Sequence, residues 1–173
     1  MKSPKSGVLL LVQGAVIAAL YTVLTLLAVM ANLAYGPVQF RFSEALTILP
    51  VFTPAAIPGL TLGCLISNMW SGYGMADMIF GTAATLLAAV ATRMVRNIRF
   101  RNIPYLAPLP PVLLNGLIVG LEITILSPEG FNWVGFLSAA LSVAAGELVI
   151  CYVLGLPLAA ALENIGAAKR IFQ

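Results

Sequence analysis

The acidic side chains carry most of the chemistry that this sequence offers. Five of its six acids lie within or beside apolar runs, namely Glu44, Asp77, Glu122, Glu129 and Glu147. Histidine is absent, and the two cysteines lie alone in apolar segments without C-x-x-C spacing. Metal ligation and nucleophilic catalysis therefore lack the residues they require, so we expect no metal, no cofactor and no enzyme. Hydrogen bonding to a polar ligand is the chemistry that remains.

Glu122 and Glu147 are the strongest ligand-binding candidates. An ionisable side chain inside an apolar span costs about 2.5–3.5 kcal/mol to insert, so it is by default a candidate for function. Asn115 lies two helical turns before Glu122 on the same helix face, and we expect both side chains to line one cavity. The alternative is that the carboxyl groups only tie neighbouring helices together by hydrogen bonds.

A charged pair stands between the first two apolar segments. Arg41 and Glu44 are three residues apart, the spacing of neighbours on a helix surface. In one interpretation Ser43 caps a helix start and the pair is local. In the other, Gly36 and Pro37 turn the loop back over an outward-facing cavity, and the pair offers charge of both signs to a ligand.

Asn68, Trp70, Tyr73 and Asp77 lie around the next outer loop. The aromatic rings offer flat faces for stacking, and the polar groups offer hydrogen bonds. The alternatives are a helix-end contact for Asn68 and an interfacial aromatic belt for Tyr73. Together with the carboxylates, this set suits a planar, nitrogen-rich solute with several hydrogen-bond donors.

The elements that position these residues are predicted to be membrane-spanning helices. Of the 173 residues, 61% are hydrophobic and 9% are charged, whereas a soluble domain carries about a quarter charged residues. Each span needs about 20 apolar residues. The sequence predicts a single all-α domain with six spans, at residues 8–31, 43–53, 55–71, 76–95, 105–126 and 133–165. The last span is long enough that it must tilt, kink near Gly155 and Pro157, or leave the membrane.

The nine basic residues orient this bundle. Six spans place both termini in the cytoplasm, and eight of the nine basic residues then lie on the cytoplasmic side, as the positive-inside rule requires. These eight are Lys2, Lys5, Arg93, Arg96, Arg99, Arg101, Lys169 and Arg170. Arg41 alone falls outside, which marks its loop as a candidate binding site.

The first span carries small residues at four-residue spacing. Gly14 and Ala18 align with each other, as do Ala15 and Ala19. Such faces let helices approach closely in lipid, so we expect a partner helix to dock here. In an alanine-rich span the same spacing also arises readily by chance.

The chain as a whole resembles a known family of transport proteins. Its six spans, its outer loop and the A-x-x-x-A spacing at residues 15–19 are similar to the substrate-binding (S) components of energy-coupling factor (ECF) vitamin importers. The segment YGPVQFRFSEALTILP, residues 35–50, resembles the signature of QueT-type queuosine-precursor transporters. The resemblance extends over essentially the whole chain, and this segment is its specific part.

The resemblance implies import of a 7-deazaguanine, such as queuine or its aminomethyl or cyano precursor, across the bacterial cytoplasmic membrane. An S component binds the solute from outside, and a coupling transmembrane subunit with two ATPase subunits drives release inside. This chain has no G-x-x-x-x-G-K-[ST] segment for hydrolysing ATP itself.

A guanine-like ligand suggests roles for the polar residues. Glu122 and Glu147 are expected at the base edge, because a carboxylate accepts two N–H groups at once. Glu44 or Asp77 is expected nearer the tail, and an amide of Asn68 or Asn115 at the carbonyl. Arg41 is expected to hold Glu44 and the loop in place.

Two other functions fit the same sequence. One is an S component for a different vitamin or nucleobase, since a fold does not fix its ligand. The other is a stand-alone small secondary transporter. Such transporters usually contain internal repeats or paired broken helices, and no convincing repeat relates residues 1–85 to residues 86–173.

Overall fold

The computed structural model describes residues 4–34, 38–101, 103–164 and 166, and these parts form an all-helical bundle. Its α-helices are α1 (Pro4–Met30), α2 (Ala56–Asn68), α3 (Met75–Met94), α4 (Leu109–Ile125), α5 (Trp133–Val149) and α6 (Leu156–Asn164). A 3₁₀ helix, Phe42–Val51, precedes α2, and a π-helical segment, Ile150–Gly155, joins α5 to α6. The turn predicted at Gly36 and Pro37, the basic residues Lys2, Lys169 and Arg170, and the predicted end of the last span at residue 165 lie outside the described residues.

The helices coincide with the predicted apolar segments, but only some of them have bilayer length. In the described parts, three helical stretches are long and apolar enough to cross a membrane, namely Gly7–Met30, Met75–Met94 and Trp133–Asn164. Phe42–Val51, Ala56–Asn68 and Leu109–Ile125 are apolar but shorter. The architecture is that of a membrane protein, and the count of six crossings stays a prediction.

Prolines set the start of α4. The span was predicted from residue 105, whereas the helix begins at Leu109, with Pro108 at its N-cap and prolines in its first turn. Proline lacks an amide hydrogen, so it is tolerated in the first turn of a helix and not further inside.

The second apolar segment forms a 3₁₀ helix of ten residues, although 3₁₀ runs longer than three or four residues are uncommon. It runs antiparallel to α1: Thr25 donates to Ser43 Oγ at 2.7 Å, and Thr53 donates to Gln13 Oε1 at 2.9 Å. Between these levels α1 rises about 18 Å at 1.5 Å per residue. The ten-residue step from Ser43 to Thr53 covers this distance because a 3₁₀ helix rises about 2.0 Å per residue.

Two further contacts define this 3₁₀ helix. At its C-terminal end, Arg93 Nη1 donates to the carbonyl oxygens of Pro50 and Val51 at 2.8 and 3.1 Å. At its N-terminal end, the interpretation in which Ser43 caps the helix was wrong. Arg41 occupies the N-cap position, and its side chain makes no cap hydrogen bond. Ser43 lies inside the helix, and its hydroxyl accepts from Thr25.

The long C-terminal helix is continuous but changes its winding. The π segment Ile150–Gly155 ends two residues before Pro157, whose ring and missing N–H disturb the hydrogen bonds of the preceding turn. Gly155 packs against the 3₁₀ helix, where a Cβ atom would lie 3.3 Å from the carbonyl oxygen of Ala45. The predicted irregularity near Gly155 and Pro157 therefore takes the form of a π turn.

Small residues close the contact between α1 and α2. A Cβ on Gly59 would lie 2.7 Å from the Gly14 carbonyl oxygen, and one on Gly63 would lie 2.8 Å from that of Ala18. Gly14 and Ala18 therefore pack inside this chain, whereas Ala15 and Ala19 are exposed. Of these two small-residue faces, the one that carries Ala15 and Ala19 is left exposed in the described part of the chain.

Candidate functional site

The bundle encloses a group of polar side chains, which we call the polar cluster. Each member is at most 6% exposed, although the members come from helices α1 to α5, from the 3₁₀ helix and from the segment before it. Its members are Tyr21, Arg41, Glu44, Asn68, Asp77, Asn115, Glu122 and Glu147. Burial of so many polar groups is costly unless they are paired with each other or with a ligand.

An ion pair links the outer loop to the start of α3. Arg41 Nη2 lies 3.6 Å from Asp77 Oδ2, and Arg41 Nε donates to the carbonyl oxygen of Ala34 at 3.5 Å. Asp77 lies in the first turn of α3, where the helix dipole favours a negative charge. We expected Arg41 to hold Glu44 and the loop in place, and the structure shows it holding the loop, through its ion pair with Asp77 at the start of α3.

Glu44 is held by α1 instead. The hydroxyl of Tyr21 donates to Glu44 Oε1, across the contact between α1 and the 3₁₀ helix. The backbone carbonyl of Glu44 accepts from Thr47 Oγ1 at 2.5 Å and lies 3.6 Å from Cys151 Sγ. Glu44 Oε2 is buried and has no hydrogen-bond partner among the described residues.

Glu147 is fully paired. Asn115 Nδ2 donates to its Oε1 at 2.8 Å, and Cys151 Sγ donates to its Oε2 at 3.5 Å. Asn115 therefore reaches across from α4 to α5. Its amide bonds to the carboxylate of Glu147 and not to that of Glu122. This arrangement matches the helix-tying alternative for Glu147.

Glu122 is the opposite case. Its side chain is 1% exposed, and neither carboxylate oxygen has a hydrogen-bond partner among the described residues. It lies near enough to Asp77 and Arg41 for their charges to act on it. A buried carboxylate in this condition is a rarity that calls for a functional explanation.

Asn68 presents an acceptor to the interior. Its Nδ2 donates to the backbone carbonyl of Asp77 at 2.8 Å and to Cys64 Sγ at 3.4 Å, while its Oδ1 has no partner among the described residues. Gly81 makes room for this amide, since a Cβ there would lie 2.7 Å from Asn68 Nδ2. The amino group of Asn68 thus already has two protein acceptors, and the expected contact of Asn68 or Asn115 with a ligand carbonyl stays a prediction.

The aromatic residues of the outer loop stand apart from the polar cluster. Trp70 is 57% exposed and Tyr73 is 41% exposed. The structure does not bring them to the buried carboxylates, and their exposure matches an interfacial belt.

Tyr21 and Cys151 were missed by the sequence reasoning. Tyr21 lies in an apolar run, and its partner Glu44 is 23 residues away in the sequence. Cys151 lies one helical turn after its partner Glu147 on the same continuous helix, and this spacing was a local signal for it. One signal was present for Tyr21: it lies three residues after Ala18 and seven after Gly14, on the small-residue face of α1.

Outside the Arg41–Asp77 ion pair, the cluster atoms that have no hydrogen-bond partner among the described residues are all acceptors. They are Glu44 Oε2, Asn68 Oδ1, Glu122 Oε1 and Glu122 Oε2. Such a set matches a ligand that presents several N–H groups. Among the described residues, no group of His, Cys, Asp and Glu is arranged to hold a metal ion.

Comparison with known proteins gives the family. The model of the QueT transporter family matches residues 11–164. The Queuosine precursor transporter QueT of Lactococcus lactis subsp. cremoris (strain MG1363) is 41% identical over 73 residues, which cover 42% of this chain and 43% of that protein. The match thus spans less than half the length of this curated relative, and no solved structure matches the chain. The chain belongs to the QueT transporter family.

Proposed function

We propose that this chain is the membrane substrate-binding subunit of an importer and captures a queuosine precursor from outside the cell. The ligand is a 7-deazaguanine, such as queuine or its aminomethyl or cyano precursor. The observation that carries the proposal is Glu122, a buried carboxylate with both oxygens unpartnered among the described residues. Family membership and the name of the Lactococcus relative support the choice of ligand.

The acceptor set suits the edge of a guanine-like base. Its ring N–H and exocyclic amino group lie side by side, and a carboxylate accepts both at once. We assign this edge to Glu122. Asn68 Oδ1 and Glu44 Oε2 are then available for other N–H groups of the ligand. Hydrogen bonds to charged groups stabilise a complex by about 1.5–3 kcal/mol each, so Glu122 dominates the affinity.

The transport assembly is part of the same proposal. The chain crosses the bacterial cytoplasmic membrane six times with both termini inside, and a coupling transmembrane subunit with two ATPase subunits drives release. The basic residues Arg93, Arg96, Arg99 and Arg101 support this orientation by the positive-inside rule. The exposed pair Ala15 and Ala19 is the proposed docking face on α1.

Calorimetry tests the substrate. The purified protein is titrated with queuine and with its aminomethyl and cyano precursors, and riboflavin, biotin and guanine serve as controls. We expect at least one 7-deazaguanine to bind with a micromolar or lower Kd and the controls to bind more weakly. Absence of micromolar binding to all three 7-deazaguanines would end the substrate assignment.

Co-purification tests the docking face. Ala19→Trp is expected to abolish recovery of the coupling and ATPase subunits with the tagged chain while leaving ligand affinity unchanged. Ala83→Trp, on an exposed site of α3, is the matched control. Equal recovery with both variants would show that α1 is not the docking helix.

A further inference from the structure

Tyr21 occupies an unusual place for a tyrosine. It lies near the middle of α1 within a long apolar run, and its side chain is fully buried. It packs in the core beside Leu60 and Cys64 of α2 and Ile48 of the 3₁₀ helix. The ring is therefore held on several sides, and its orientation is set by packing.

The small-residue contact between α1 and α2 is what admits this ring. Gly63 lies directly against Tyr21, since a Cβ on Gly63 would come within 2.8 Å of the Tyr21 Cβ. Gly14, Ala18 and Tyr21 share one face of α1. Close approach of the two helices thus places the Tyr21 hydroxyl at the 3₁₀ helix.

The Tyr21 hydroxyl forms a hydrogen bond with one carboxylate oxygen of Glu44 and not with the other. Tyr21 donates to Oε1, because an ionised carboxylate only accepts hydrogen bonds. Oε2 is buried and without a hydrogen-bond partner among the described residues. Glu147 differs, because both of its oxygens are occupied by protein groups. The Tyr21 bond fixes the plane of the Glu44 carboxylate with one acceptor atom still available.

We propose that Tyr21 is a positioning residue of the binding site, which orients Glu44 so that its Oε2 accepts an N–H group of the ligand. This inference rests on the proposed function. It makes α1 part of the site and adds a residue that acts through Glu44 without touching the ligand.

The test is a double-mutant cycle on ligand affinity with Tyr21→Phe and Glu44→Gln. Tyr21→Phe keeps the ring and removes only the donor, so affinity for the tightest-binding 7-deazaguanine is expected to fall about tenfold. In the Glu44→Gln background the same change is expected to cost less than about threefold, because the two residues act as one unit. Tyr152→Phe, a partly buried tyrosine on the π segment outside the polar cluster, is the matched control and is expected to leave affinity unchanged.

Each outcome separates the inference from the proposed function. Failure of the parent protein to bind any 7-deazaguanine removes the proposed function. If the parent protein binds but Tyr21→Phe binds equally well, or if the losses in the cycle simply add, the inference alone is overturned.

A spectroscopic measurement needs no variant that must fold. In the parent protein labelled with ¹³C-tyrosine, infrared difference spectra are recorded on addition of the 7-deazaguanine. We expect a shift of the tyrosine C–O band, because a hydrogen bond from the ligand to Glu44 Oε2 weakens the hydrogen bond that Glu44 Oε1 accepts from the Tyr21 hydroxyl. A spectrum with no tyrosine band at saturating ligand would overturn the inference.

Discussion

The last turns of α4 and α5 each bury one glutamate, and the hydrogen bonding of the two side chains is opposite. Glu147 on α5 receives hydrogen bonds from Asn115 and Cys151. Glu122 on α4 is less exposed than Glu147, at 1% against 6%, and has no hydrogen-bond partner among the described residues. The two residues are equivalent by type and by apolar surroundings, so the hydrogen-bond donors around each carboxylate are what distinguishes them.

The difference has a physical reason. A buried carboxylate with donors on both oxygens contributes to the packing of the helices that supply them. A buried carboxylate without donors lowers stability, because its desolvation is not offset. Such a group is retained where a ligand supplies the missing donors, and on this criterion we propose Glu122 for ligand binding and Glu147 for the scaffold.

Glu122→Gln is the largest expected effect on binding. The amide replaces an acceptor oxygen by an amino group that faces the ligand's own N–H donors. We expect affinity for the 7-deazaguanine to fall about 100-fold, equivalent to about 2.7 kcal/mol. Thermal stability without ligand is expected to stay equal or rise, because an unpaired buried charge is removed. Calorimetry and thermal denaturation in detergent measure the two quantities, and an unchanged affinity would remove Glu122 from the site.

Glu147→Ala is expected to show the reverse pattern. It leaves the Asn115 amide and the Cys151 thiol without their acceptor, at a cost of about 1–3 kcal/mol in stability. Ligand affinity is expected to change less than about threefold. Glu147→Gln, which keeps an oxygen for Asn115, serves as the control and should recover most of the stability. A loss of affinity as large as that of Glu122→Gln would dissolve the contrast between the two glutamates.

Trp70→Ala and Tyr73→Ala are the smallest expected effects. Both side chains are largely exposed and lie away from the polar cluster, and exposed substitutions usually change free energies by about 0.5 kcal/mol or less. We expect calorimetric affinities within about threefold of the parent protein. A tenfold loss with either variant would show that the outer loop contacts the ligand and that the site is larger than the polar cluster.

Local patterns predicted much of the fold. Apolar runs located the helices, and Gly155 and Pro157 made a kink one of three alternatives for the long last span, because both effects act within a few residues. The 3₁₀ winding of Phe42–Val51 was not predictable in this way. This winding lets the segment span the distance along α1 between its contacts with Thr25 and Gln13. That distance is set only once the helices are packed together.

The site was predictable by residue type and not by pairing. Burial of Glu44, Asp77, Glu122 and Glu147 follows from acids placed in or beside apolar runs. The partners that distinguish these acids lie in other segments of the chain. Arg41 is the partner of Asp77, and Tyr21 is the partner of Glu44. One sequence contains no direct signal for such long-range contacts, so Glu122 and Glu147 ranked equally until the helices were assembled.

A structure of the protein with the 7-deazaguanine bound tests the central claim most directly. The account predicts ligand nitrogen atoms within about 2.7–3.2 Å of Glu122 Oε1 and Oε2, with Glu147 still bonded to Asn115. A ligand seated on Glu147, with Asn115 turned away and Glu122 untouched, would contradict it.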